Sequence, residues 1–196
     1  MSDATEVFLS VYGKSAAQSK SEDVARRLAE LPSGERLLSA LAPGLYDDGF
    51  LSIASLREEV SDLGGWERFL PAGSFWYAAS ALGILYIAAP DDRMWLVHTR
   101  AGSVMQTDFA LDEAILKAAT PSTANDLLLR PVFKAWPGDT QLLAQGALLA
   151  PVPITADDLW QVDRYEPMTS ADYLAASAAL FEPLGPVPVN VMAGDS

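Results

Sequence analysis

Apolar side chains recur at helical spacing through the first forty residues, and then the period changes. In residues 4–12, ATEVFLSVY, Val7, Phe8, Val11 and Tyr12 share one helical face, and Gly13 ends the run. Ser21 is placed to cap a second helix whose first turn holds Glu22 and Asp23, charges suited to the positive end of a helix dipole. Val24, Leu28 and Leu31 form its stripe, and Pro32-Ser33-Gly34 ends it. Leu37, Leu38 and Leu41 predict a third short helix before Pro43-Gly44. YDDGFLSI, residues 46–53, predicts a turn through Asp48-Gly49 into a short strand, and residues 56–63 predict one or two amphipathic helical turns. From Trp66 the chain is aromatic and β-prone: FLPAGSFWYA, LGILYIAA, RMWLVHTR and GSVMQTD. Pro-Ala-Gly, Pro-Asp-Asp and Ala-Gly-Ser break these runs, which is the punctuation of an antiparallel meander. Pro90-Asp91-Asp92 suits a type I turn.

Residues 112–119 predict a helix capped near Asp108, and Pro121 among hydroxyl residues marks a boundary. Beyond it, helices are expected over 127–136, 140–149, 156–163 and 170–181, separated by Pro151, Pro153, Pro167 and Pro183. The tail, PLGPVPVNVMAGDS, is expected to fray or to pack as an extended strand. Runs of like elements, in place of strict β–α alternation, predict an α+β fold. Residues 1–120 would form N-terminal helices plus an antiparallel meander sheet. Residues 121–196 would form a smaller, mainly helical domain.

Half of the residues are apolar, so the chain has ample material for a core. It contains no cysteine, which excludes disulfides, thiolate nucleophiles and zinc–sulfur sites. No apolar run approaches the ~20 residues of a spanning helix, and MSDATEVFLS is acidic where a secretory signal is basic. A cytoplasmic protein with no membrane contact is expected. Charge changes the picture most. Thirteen basic residues against 26 acidic ones leave a net charge of −13. Such a chain repels nucleic acid and anionic lipid and attracts basic partners, although acidity also serves solubility alone. Residues 121–196 carry three of the basic and nine of the acidic side chains.

Candidate chemistry is sparse. His98, the only histidine, sits in MWLVHTR with no G-x-S-x-G or comparable motif to supply a nucleophile, and reads as a hydrogen-bonded strand residue. One histidine, no cysteine and no calcium-loop motif argue against a metal site, and no phosphate-cradling glycine loop is present. Adjacent acids recur at Glu22-Asp23, Asp47-Asp48, Glu58-Glu59, Asp91-Asp92, Asp112-Glu113 and Asp157-Asp158. Neighbouring residues diverge on a strand or a helix, so such pairs suit caps and turns better than a two-carboxylate hydrolase site. No catalytic residue, cofactor or metal is assigned.

Several segments in order resemble the GAD-like immunity proteins of bacterial type VI secretion. EVFLSVYGK resembles that family's opening helix, and LAELPSGERLLSAL resembles its helix junction. YDDGFLSI resembles its turn into the first strand, and FLPAGSFWYAASALGILYI followed by DDRMWLVHTRAGSVMQTD resembles its central hairpins. The resemblance spans about residues 5–118, with a weaker one to the helical C-terminal domain over 121–183. The family's alanine-phenylalanine-glycine-aspartate step is replaced here by Ala81-Leu82-Gly83-Ile84. The resemblance implies an antitoxin that binds and blocks a cognate secreted toxin, often a nuclease, here a basic DNase. Basic nuclease surfaces that hold phosphates would meet acidic side chains. Asp47, Asp48, Asp91, Asp92, Asp157 and Asp158, at expected turns or helix starts, are the candidate toxin-binding residues. The alternatives are an adaptor or chaperone for a secreted effector and a carboxylate-based hydrolase.

Overall fold

The computed structural model describes residues 3–16, 21–55, 63–139, 146–154 and 160–181. Six antiparallel strands pair strictly in chain order: β1 (Gly44–Tyr46), β2 (Leu51–Ile53), β3 (Phe75–Ser80), β4 (Ile84–Ala88), β5 (Met94–His98) and β6 (Ser103–Gln106). Every residue of β3 and β4 is buried. These strands therefore read as unbroken apolar runs, FWYAAS and ILYIA, because both faces of the sheet are covered. The edge strand β6 is short and carries Ser103 and Gln106, which discourages further pairing.

Three helices precede the sheet: α1 (Asp3–Tyr12), α2 (Glu22–Ala29) and α3 (Pro32–Ala40). Ser21 caps α2 as expected, its hydroxyl accepting the Val24 N–H at 3.3 Å. After the sheet, α4 (Leu111–Lys117) packs beside α1 and α3. The Tyr77 hydroxyl, from β3, donates to Leu111 O at 3.1 Å, and the Tyr12 hydroxyl donates to Ala118 O. Both are cross-links between elements far apart in sequence.

The chain then passes a π-type turn (Thr123–Leu127) and α5 (Arg130–Ala135). A two-stranded antiparallel sheet follows, β7 (Ala147–Pro151) with β8 (Tyr165–Thr169), and then α6 (Ser170–Leu180). This part is fastened by polar contacts to residues just past the ends of β3 and β5 and to the 3-10 turn Trp66–Phe69. Leu149 N–H donates to Ala81 O at 2.8 Å, the Tyr173 and Thr99 hydroxyls meet at 2.9 Å, and Trp66 Nε1 donates to Ser177 Oγ at 3.1 Å. One apolar cluster runs from Phe8 through β3–β5 to Phe133, Leu148 and Leu174. Gly83 lies at the junction with φ +81, and a Cβ there would stand 2.5 Å from Tyr173 Cε1.

The architecture is the expected α+β arrangement, with local corrections. The third helix begins at Pro32, not after the Pro-Ser-Gly break, because proline is pre-organised for the first helical position. Gly34 lies inside it, where a Cβ would meet Leu28 O at 2.2 Å, so the glycine permits the close α2–α3 approach. The N-cap of α4 is Ala110, not Asp108. The expected helix at 127–136 is divided by Leu129 at φ +54. Residues 147–149 form a strand, not a helix. Leucine and alanine favour helix locally, but pairing with β8 and the hook to Ala81 outweigh that preference. Residues 162–163, expected at the end of a helix over 156–163, belong to a 3-10 turn, Val162–Arg164. The expectations for 56–62, 140–145, 155–159 and the tail from 182 lie outside the described residues.

Candidate binding surface

The tight turn between β4 and β5 places Asp91 and Asp92 together, but turns them in different directions. Asp92 takes a left-handed backbone, φ +64, and points its carboxylate inward. It accepts the Ser33 N–H at 3.2 and 3.3 Å and the Ser33 hydroxyl at 2.6 Å. The Ser33 hydroxyl is fully buried and in turn accepts the Leu111 N–H at 3.2 Å. One serine thus joins the turn to the first turns of α3 and α4. Leu31, the N-cap of α3, has no side chain able to cap, and Asp92 supplies a capping carboxylate from 59 residues away.

Asp91 faces outward, with its side chain 59% exposed, and lies 3.5 Å from the Arg93 guanidinium. Beside this turn, Arg36 grips Asp112 through two hydrogen bonds of 2.9 Å. The hydrogen bond and charge of Asp112 hold the Arg36 guanidinium above its ordinary pKa, with smaller support from Asp92 and Glu113. Glu113 reaches back to the Ala110 N–H at 3.3 Å and is exposed. Asp91, Asp92, Asp112 and Glu113 therefore gather at one corner against Arg36 and Arg93. By sequence alone Asp112 and Glu113 are first-turn helix residues. Their approach to Asp91 depends on the Ser33 node.

Asp47 and Asp48 lie at the opposite end of the sheet, beyond Tyr46, both with positive φ. Asp47 does not project. Its side chain is only 9% exposed, held by Arg130 at 2.7 and 3.2 Å and by Lys134 at 2.7 Å. Arg130 also donates to Val11 O at 3.2 Å, so the cluster clamps α5 against α1. Asp48 is 78% exposed but shares Lys134, at 3.1 Å. Asp157 and Asp158 lie outside the described residues. Of the six candidates, the structure thus presents Asp48 and Asp91 at the surface and engages Asp47 and Asp92 internally.

His98 Nδ1 accepts the Ala101 N–H at 3.1 Å, closing the turn after β5. Burial, and then the nearby Arg100 charge, lower its pKa to about 4, so the imidazole is neutral at pH 7. Nothing local in the sequence marks Arg100 as a buried guanidinium. It is 7% exposed, donates to the Tyr165 hydroxyl at 3.1 Å, and leaves Nε and Nη2 buried without partners among the described residues. Among the described residues no group of three or more acidic, histidine or cysteine side chains could hold a metal ion. None of their helices is long and apolar enough to cross a membrane.

No family model matches the chain, and no curated protein does. Its fold is similar to that in the crystal structure of Atu4351 from Agrobacterium tumefaciens, with a TM-score of 0.62 and 17% sequence identity. The match covers 88% of this chain and 87% of that one. At this identity the likeness shows a shared fold and nothing more.

Proposed function

We propose that the chain is an immunity protein that binds and blocks a cognate secreted toxin, a basic nuclease effector of a type VI secretion system. The observation that carries this reading is the acid excess, 26 against 13, together with the hydrogen-bonded corner that presents Asp91 and Glu113 beside Asp112. The resemblance of residues 5–118 to GAD-like immunity proteins points the same way. A nuclease surface built to hold phosphates carries lysine and arginine, and an acidic partner gains steered association with it. Glu113 accepts the Ala110 N–H and Asp91 accepts the Arg93 N–H, which orients both carboxylates before the encounter and reduces the side-chain freedom lost on docking.

The test is co-expression of the full chain with the toxin domain encoded beside its gene. A complex in which nuclease activity disappears supports the reading. A complex formed outside the toxic domain, with activity intact, would instead mark the chain as an adaptor and overturn it.

A further inference from the structure

A cavity of about 380 Å³ lies between the sheet and α4. That volume falls within the range of small-molecule pockets, roughly 300–1,000 Å³. The strand register explains its floor. Tyr86 pairs with Leu96 and Leu96 with Met105, so these three side chains stand in one row across β4, β5 and β6 on the same face. Ala114 of α4 is too small to fill the space above them, and Leu127 closes another side.

Two polar features set this cavity apart from a packing defect. Tyr86 is 2% exposed, and its hydroxyl has no hydrogen-bond partner among the described residues. An orphaned buried hydroxyl of this kind is unfavourable unless something supplies an acceptor. At the mouth, Lys117 Nζ sits 4.0 Å from the centre of the Phe109 ring, beside Thr120, Ser122 and Thr123. Among the described residues no carboxylate lines the cavity, although acids outnumber bases two to one in this chain. The wall is thus apolar, the rim is cationic and hydroxyl-bearing, and a donor waits inside.

We propose that this cavity binds a small carboxylic acid with an apolar body and an acceptor oxygen at its far end. The carboxylate meets Lys117 and the threonine rim, the body lies on Leu96, Met105 and Leu127, and the inner oxygen accepts from Tyr86. This site is separate from the acidic corner and does not depend on the toxin-binding proposal.

Calorimetric titration of the full chain with 9-oxodecanoate, decanoate and decanol tests it. One 9-oxodecanoate should bind per chain, more tightly than decanoate, and Tyr86→Phe should remove that preference. Lys117→Gln should weaken both acids about tenfold and leave decanol within about twofold. Leu127→Trp fills the cavity and should abolish binding of all three. If circular dichroism shows that variant unfolded, Ala114→Met serves the same purpose. Failure of 9-oxodecanoate to saturate below about 1 mM would overturn the proposal. Equal binding of the keto acid and decanoate, or unchanged binding in the Lys117 and filled variants, would do so as well.

Discussion

Removing the Asp92 carboxylate should damage stability, not merely surface charge. In Asp92→Ala, the Ser33 N–H and hydroxyl lose their acceptor in a place closed to water. One unsatisfied buried donor costs about 1–3 kcal/mol, and loss of a charge at a helix start adds about 0.3–1 kcal/mol. The left-handed backbone, φ +64, suits alanine less than aspartate or glycine, so Asp92→Gly should recover part of the loss. Asp92→Asn keeps an acceptor oxygen and should cost least. A loss of about 2 kcal/mol for Asp92→Ala corresponds to a Tm lowered by about 4–8 °C in a chain of this size. Urea and thermal unfolding of Asp92→Ala, Ser33→Ala and the double variant form the assay. The two changes should couple by about 1 kcal/mol or more, since they break the same bonds. An Asp92→Ala variant within about 0.5 kcal/mol of the parent, or strict additivity with Ser33→Ala, would refute the node.

Other outcomes follow from the same geometry. Asp91→Asn with Glu113→Gln should slow toxin association and flatten its salt dependence, with unfolding shifted by less than about 0.5 kcal/mol, as stopped-flow and denaturation experiments would show. An association rate that is the same at low and high salt in the parent would remove electrostatic capture. Asp47→Ala leaves Arg130 and Lys134 without their shared carboxylate and should destabilise by about 2–4 kcal/mol, below the figure for a fully buried pair because both cations are partly exposed. His98→Asn should leave toxin neutralisation within about tenfold in affinity. It should also reduce acid sensitivity. The folded imidazole titrates near pH 4 and the unfolded one near 6.5, so its contribution is complete above 6.5 and is lost as pH falls toward 4. Complete protection would be worth up to about 3 kcal/mol, and the partial exposure of the ring lowers that figure. An unchanged acid limb of the stability curve in His98→Asn would show the imidazole to be irrelevant.

Features set by near neighbours could be read directly from the chain. The helix α1 with Phe8 and Tyr12 buried, the Ser21 cap of α2 and the breaks between β3, β4, β5 and β6 each rest on interactions spanning a few residues, although Val7, expected on the buried stripe of α1, is 48% exposed. The α+β class and the acid excess followed from the same local reading. What remained hidden depends on partners distant in sequence. Residues 147–149 read as helix because leucine and alanine favour it, and only β8 and Ala81 made them a strand. Asp47 and Asp92 looked like twins of Asp48 and Asp91, turn acids of equal promise. Arg130, 83 residues away, and Ser33, 59 residues away, drew one member of each pair inward. Adjacent residues in a turn point in different directions, so which carboxylate meets solvent is settled by what packs behind it. Local pattern therefore assigns an element and its polarity. The direction of a charge, the burial of Arg100 and the space above Ala114 follow only when the elements are docked.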